Sequence, residues 1–233
     1  MNRFPIKIIK SEIQKTDNKI EFFNEIIESS ITSKCNILYN EAQTFCGKDC
    51  NKCFRICNEI INLNPHYIQA YLKKIRCKKR TDRLIQLNEC EDLLTKFPKY
   101  SIKIKFQKLS IIRQIENRNE ELRILLNELS QLTDLEIENN YDELAFGFGE
   151  LNMPEKSIEY YTKYISENQD KAFAYNNRGL QFEKIGELEN AINDFKKSVE
   201  LKESDNQDNL ENSKRHLLRV KGKLTNQDDD LPF

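Results

Sequence analysis

Four cysteines fall close together, at Cys46, Cys50, Cys53 and Cys57, and Cys50 and Cys53 form a Cys-x-x-Cys pair. Four thiolates can hold zinc tetrahedrally, and a Cys-x-x-Cys pair can also do redox chemistry. Helical geometry offers a plainer role. In a helix Cys50, Cys53 and Cys57 lie along one stripe, where cysteine behaves as a small apolar residue. Packing is therefore the expectation, with a zinc site on Cys46, Cys50, Cys53 and Cys57 as the alternative. Seven cysteines in all, an odd number, do not resemble a secreted disulfide framework, and reduced thiols are expected.

Other chemistry is sparser. The two histidines, His66 and His216, stand beside a proline and in a polar stretch, and neither has a nucleophile or metal motif around it. Gly147-Phe148-Gly149 is a lone Gly-x-Gly, which reads as close helix packing rather than a nucleotide loop. The carboxylate pairs Glu120/Glu121 and Asp142/Glu143 read as solvated helix faces. No catalytic residues and no cofactor are expected.

The elements that would position these residues are helices. Charged residues make up 32% of the 233-residue chain, with 6 Gly, 5 Pro and no Trp, which disfavours Gly-rich β architectures. No apolar run reaches the roughly 18 residues of a membrane span. The start, Met1 to Lys7, lacks a long apolar region and a small-residue cleavage site, so an intracellular protein, cytoplasmic or nuclear, is expected.

A repeat is visible near the C-terminus. Tyr175, Gly179 and Phe182 share one helix, Gly186 is placed to end it, and Ala191, Phe195, Ser198 and Leu201 form the buried stripe of a second helix. An earlier copy in the same register holds Tyr141, Ala145 and Phe148, then Ser157 and Tyr161. Asn152 is expected to cap the following helix, with Pro154 in its first turn and Glu155 reaching back. This pattern resembles the tetratricopeptide (TPR) repeat, whose period of about 34 residues separates the two copies. A third copy at about 103–136 keeps Phe106, Leu122, Leu126 and Leu129, but has Ser110 and Arg113 at the other signature places. Pro65 and Pro98 stand where repeat-closing prolines belong. A first repeat at about 35–67 would place Leu38, Ala42 and Phe45 on one helix and Cys53, Cys57, Ile60 and Leu63 on the next.

The resemblance implies an all-α, right-handed α-solenoid of about five TPR-like helix-turn-helix repeats with N- and C-terminal capping helices. Residues 1–34 would form the N-terminal segment, with Asn18 to Ser30 packing on the first pair as a cap. Three degenerate repeats would span 35–137 and two well-matched ones 138–205. A capping helix would occupy 206–224 and a disordered acidic tail 225–233.

Bulk charge is -1, but its distribution is uneven. Thirteen basic against four acidic residues over 73–113 give +9, and four basic against fourteen acidic over 114–170 give -10. In TPR proteins the first helix of each pair lines a concave groove. The resemblance places Lys73, Arg76, Lys79, Arg80 and Lys108 in a basic part of it. Asp142, Glu143, Phe146, Glu150, Phe173, Asn176, Asn177 and Leu180 would line an acidic and apolar part. The expected function is a non-catalytic adaptor or structural subunit that binds a helical or extended protein segment of mixed charge. Two alternatives remain open. An Hsp70/Hsp90-type co-chaperone would need a carboxylate clamp; Asn177 matches one clamp asparagine, but Asp142 and Phe146 stand where lysine and asparagine are required, and Tyr39 and Gln43 replace them in repeat one. An RNA-associated factor could use the basic stretch 73–113 with Tyr71, Phe97, Tyr100 and Phe106, although nucleic acid is disfavoured by the acidic block that follows.

Overall fold

The computed structural model of the protein describes the backbone at 6–77, 83–137, 139–202 and 207–229, and within these spans the residues form helices and turns. Two compact units divide the chain, 1–82 and 83–233, with the boundary between the expected first repeat at about 35–67 and the copy at about 103–136.

In the first unit, α1 (Ile6–Phe45) is followed by α2 (Cys50–Leu63) and α3 (Ile68–Cys77). Asp49 caps α2 by accepting the Lys52 N–H at 2.9 Å, and Gly47 turns the chain at φ 78°, a left-handed conformation that glycine adopts without strain. Cys35, Ala42, Cys53, Cys57, Ile60, Ala70 and Cys77 are buried in one cluster, with Leu38, Phe45 and Leu63 packed against it. The residues that spacing assigns to the first repeat thus share a core. Asn18 to Ser30, expected as a cap on the first pair, belongs to the uninterrupted α1, where Ile20, Ile26 and Ile27 are exposed. Nothing in this stretch favours a break, since it holds no glycine or proline.

In the second unit, α4 (Arg83–Lys96) leads through a 3-10 turn at Pro98–Tyr100 into α5 (Ser101–Ile112) and α6 (Asn119–Leu129). A one-turn helix, α7 (Asp134–Ile137), precedes the pairs α8 (Tyr141–Glu150) with α9 (Pro154–Glu167) and α10 (Ala172–Lys184) with α11 (Leu188–Lys202), and α12 (Gln207–Asp229) closes the unit. From α8 to α12 each helix packs on the next, α5 also packs on α8, and α8 on α10. This neighbour-on-neighbour packing is the mark of a helical repeat. The C-terminal helix runs to Asp229, taking in residues read as tail; 230–233 lie outside the described residues.

Small residues set the close approaches. Ser157 donates to the Ala145 carbonyl at 2.6 Å, joining α9 to α8. One repeat later a Cβ at Gly179 would lie 3.0 Å from the Phe195 ring. Both glycines of Gly147-Phe148-Gly149 are close-packed: a Cβ would stand 2.8 Å from Leu126 at the first and 3.1 Å from Ser157 and Gln181 at the second. Gly179→Ala is expected to destabilise the protein by about 1 kcal/mol, because overpacking of roughly 1–3 kcal/mol against the fully buried Phe195 outweighs the ~1 kcal/mol of helix propensity that alanine adds. Urea denaturation checks this, and a stabilised variant would mean that the ring yields.

Helix ends show one correction. Asn152 does not cap α9; Met153 holds that position without a side-chain hydrogen bond. Asn152 has φ 55°, the left-handed conformation that Gly186 adopts at φ 82° in the next repeat. Asparagine tolerates that region better than other non-glycine residues, which explains its use one repeat length before the glycine.

Candidate functional site

The charge blocks neutralise one another in part, through Arg113 and Lys105. Arg113, at the end of α5, bonds Glu143 of α8 at 2.5 Å and Glu150 at 3.1 Å, and its guanidinium lies 4.0 Å from the Phe146 ring centroid. Lys105 pairs with Glu128 at 2.5 Å, Lys108 with Glu91 at 2.5 Å and Lys163 with Asp134 at 2.9 Å. A basic helix beside an acidic one satisfies both, so the +9 and -10 blocks act in part as complementary neighbours within the second unit.

This changes how the expected groove residues stand. Lys73 is buried at 8% exposure, with its ammonium donating to Gln43 at 3.4 Å and lying 5.9 Å from the Tyr39 ring centroid. Its long stem packs within the first unit. Arg76 is exposed, while Lys79 and Arg80 lie outside the described residues. Lys108, Glu143 and Glu150 carry the ion pairs just described. Burial raises the Glu150 pKa, opposed by the charge and hydrogen bond of Arg113.

At the C-terminal end the chain covers its own groove positions. Asn176 accepts from Ser213 of α12 at 3.0 Å and lies 3.3 Å from His216 Nδ1. Leu180 packs against the cluster of Leu188, Ala191, Ile192, Phe195 and Val220. Glu183 takes Arg219 at 2.5 Å and Lys223 at 2.8 Å. Asn176 and Leu180 are thus engaged by the capping helix, the physical reason being that the last repeat must cover its open apolar face.

What is left lies on α8 and α10, on either side of α9. Phe146 on α8 and Phe173 on α10 are 41% and 40% exposed. The residues of α9 connect them: the Phe173 ring tilts on Tyr164 at 5.6 Å, and Asn177 donates to the Tyr161 hydroxyl at 3.2 Å. Asp142 acts electrostatically on both tyrosines. Burial raises the Asp142 pKa, opposed by backbone N–H donors of Asp142 and Glu143 and by the charge of Arg113. Among the described residues Asp142 has no salt bridge. It is a half-buried carboxylate on the same helix as the exposed Phe146, and it acts on Tyr164, against which the exposed Phe173 packs; a carboxylate with aromatic neighbours is able to receive a cationic side chain.

The cysteines separate by burial. Cys53 and Cys57 are buried, Cys46 is half-buried and Cys50 is exposed. Cys77, which spacing did not single out, lies 3.0 Å from Cys53 and 3.4 Å from Cys46, sulfur to sulfur. No group of three His, Cys, Asp or Glu among the described residues has the arrangement of a metal site. Burial pushes the Cys57 and Cys90 thiols up to about 12, and Cys77 upward as well. At pH 8 iodoacetamide is expected to label Cys50 and to leave Cys53, Cys57, Cys77 and Cys90 unmodified until unfolding, as read by mass spectrometry of the peptides. Rapid labelling of Cys57 in the folded chain would contradict this packing. Because these folded-state values are raised, their contribution to stability is complete below pH 9.0, the ordinary thiol value, and is lost as pH rises from there toward about 12.

The histidines are structural. His66 sits in the turn after α2, where its N–H donates to Asn64 at 3.0 Å, and the His216 ring tilts on Phe195 at 5.4 Å.

A family model described as tetratricopeptide repeat matches residues 174–205, which span most of α10 and all of α11. Residues 174–205 thus form a tetratricopeptide repeat, and the all-α fold of the chain is TPR-like. Among solved structures, a thermophilic TPR protein of Thermus thermophilus is 14% identical, with a TM-score of 0.55, covering 82% of this chain and 99% of that one. A MamA fragment from Desulfovibrio magneticus is 14% identical, with a TM-score of 0.51, covering 75% of this chain and 98% of that one. These likenesses are of fold. No curated protein matches the chain. The TPR fold explains why Gly179 and Ala145 stand at positions of close helix approach.

Arg178, inside the matched repeat, holds Asp194 with two bonds of 2.8 Å and reaches Thr162 at 3.0 Å, joining α10 to α11 and to α9. Sequence reasoning missed this pair and the bonds of Arg113. Each is a cation in an otherwise amphipathic first helix with an acid on a helix packed against it, a signal that can be sought once a repeat register is fixed.

Proposed function

We propose that the protein is a non-catalytic adaptor or structural subunit, and that the face shared by α8 and α10 binds a protein segment carrying a basic side chain flanked by apolar ones. TPR folds generally mediate protein–protein interaction. The observation that carries the finer reading is Asp142, half-buried and without a salt bridge among the described residues, on the helix of the exposed Phe146 and acting on Tyr164, against which the exposed Phe173 packs. The expected mixed-charge ligand narrows accordingly: Glu143 and Glu150 are already held by Arg113, which leaves one carboxylate as the focus for a cation. The same carboxylate disfavours the acidic C-terminal peptides that a chaperone clamp receives.

Binding should weaken as pH falls into the range where Asp142 protonates, and should do so at a higher pH than for an ordinary aspartate, because its pKa is raised. Calorimetric titration of an identified partner segment over a pH series checks this against Asp142→Asn. The wild-type protein should approach the variant's affinity at low pH, and parallel pH profiles would remove Asp142 from the site.

A further inference from the structure

Three thiols meet where three elements of the first unit converge, and the proposed function uses none of them. Cys46 stands in the turn after α1, Cys53 near the start of α2 and Cys77 at the last position of α3. The Cys77 sulfur is shared, lying 3.0 Å from that of Cys53 and 3.4 Å from that of Cys46. The chain brings these groups together from a distance, since Cys77 follows Cys46 by 31 residues and Cys53 by 24. Exposure then divides the trio. Cys53 and Cys77 are buried, whereas Cys46 is half-buried and offers the cluster an edge to solvent.

We propose that this trio is a redox-modification site, at which a hydroperoxide oxidises Cys46 and Cys77 closes an intramolecular disulfide with it. Oxidation follows thiol access, and Cys46 is the accessible member. Burial and the hydrogen bonds of Cys53 and Cys46 hold the Cys77 thiol in its protonated form, which makes it the second thiol to react. In the first step the Cys46 sulfur takes one peroxide oxygen, the O–O bond breaks, and a sulfenic acid and an alcohol are formed, or water where the oxidant is hydrogen peroxide. In the second step the Cys77 sulfur displaces the hydroxyl of that sulfenic acid. The S–S bond forms, the S–O bond breaks, and the Cys77 proton leaves with the hydroxyl as water. Two electrons pass in all from the two thiols to the peroxide. The sulfurs need to approach by about 1.4 Å to reach the ~2.05 Å of a disulfide, a movement within the reach of side-chain rotation. Cys53 faces the same Cys77 sulfur and can take over the bond by thiol–disulfide exchange, its proton passing to the displaced Cys46 thiolate. Either bond ties the end of α3 to the junction of α1 and α2.

Treatment of the folded full chain with a small excess of hydrogen peroxide, followed by peptide mass spectrometry without reduction, tests the proposal. Wild type and Cys50→Ser should each lose two hydrogens per chain and yield a peptide pair joining Cys77 to Cys46 or Cys53, and dithiothreitol should restore the thiols. Cys46→Ser should form a disulfide at least tenfold more slowly. Cys77→Ser should leave oxidised Cys46 unresolved, as a sulfenic acid that dimedone traps, while Cys57 and Cys90 stay closed to iodoacetamide. Misfolding cannot imitate that result, because it would open those two thiols as well. A first cross-link through Cys50 or Cys57, a Cys46→Ser variant oxidised at the wild-type rate, or a wild type that forms no disulfide overturns the proposal.

Discussion

Replacing Asp194 with alanine is expected to lower the stability of the second unit by about 3 kcal/mol, since removing one member of a buried pair typically costs roughly 3–5 kcal/mol. The carboxylate is nearly buried, at 7% side-chain exposure, and receives two bonds from Arg178. Truncation strands the guanidinium against α11. The low end of the range applies because Arg178, at 16%, retains an edge to solvent and a bond to Thr162. The double variant Arg178→Met/Asp194→Leu should recover most of the loss, since an apolar pair carries no desolvation cost. Urea unfolding of the two variants gives the comparison. A single variant within about 0.5 kcal/mol of wild type, the range of ordinary surface substitutions, would show the pair to be peripheral.

Phe195→Ala should cost still more, about 3–5 kcal/mol, the usual range for emptying a large core site. The ring is fully buried, abuts Gly179 of α10, tilts on His216 of α12 and shares a cluster with Val220. Three helices lose a common filler. Because α12 is the last element of the unit and packs on α11, it should open first. Limited proteolysis should then cut within α12 before α10 or α11, and uniform cleavage along the second unit would mean that the cap has no separate stability.

The repeat was legible where its packing residues follow the period. Tyr141, Ala145, Phe148 and Tyr161 stand one repeat length before Tyr175, Gly179, Phe182 and Phe195, and their burial follows from helix spacing alone. The cysteine stripe was legible for the same reason, because Cys53 and Cys57 share a helix face. What one helix's period cannot show is pairing between helices. Cys77 meets Cys46 and Cys53 across a turn and a helix, and Arg113 meets Glu143 and Glu150 across α6 and α7. The candidate site was correspondingly half legible. Asp142, Phe146 and Phe173 were marked by repeat position, but Lys73 was marked equally and is buried, and Asn176 was marked and is held by α12. Summing charge along the chain could not distinguish a polarised ligand surface from neighbouring helices that neutralise each other.

Interaction through the α8–α10 face is tested most directly by comparing, by quantitative mass spectrometry, what co-purifies with the wild type and with Asp142→Lys/Phe146→Ala/Phe173→Ala, and then titrating each purified candidate against both proteins. A direct partner should bind the wild type through a basic and apolar segment and bind the triple variant at least tenfold more weakly, with the fold intact by urea denaturation. Equal affinity of every direct partner for the two proteins would contradict it.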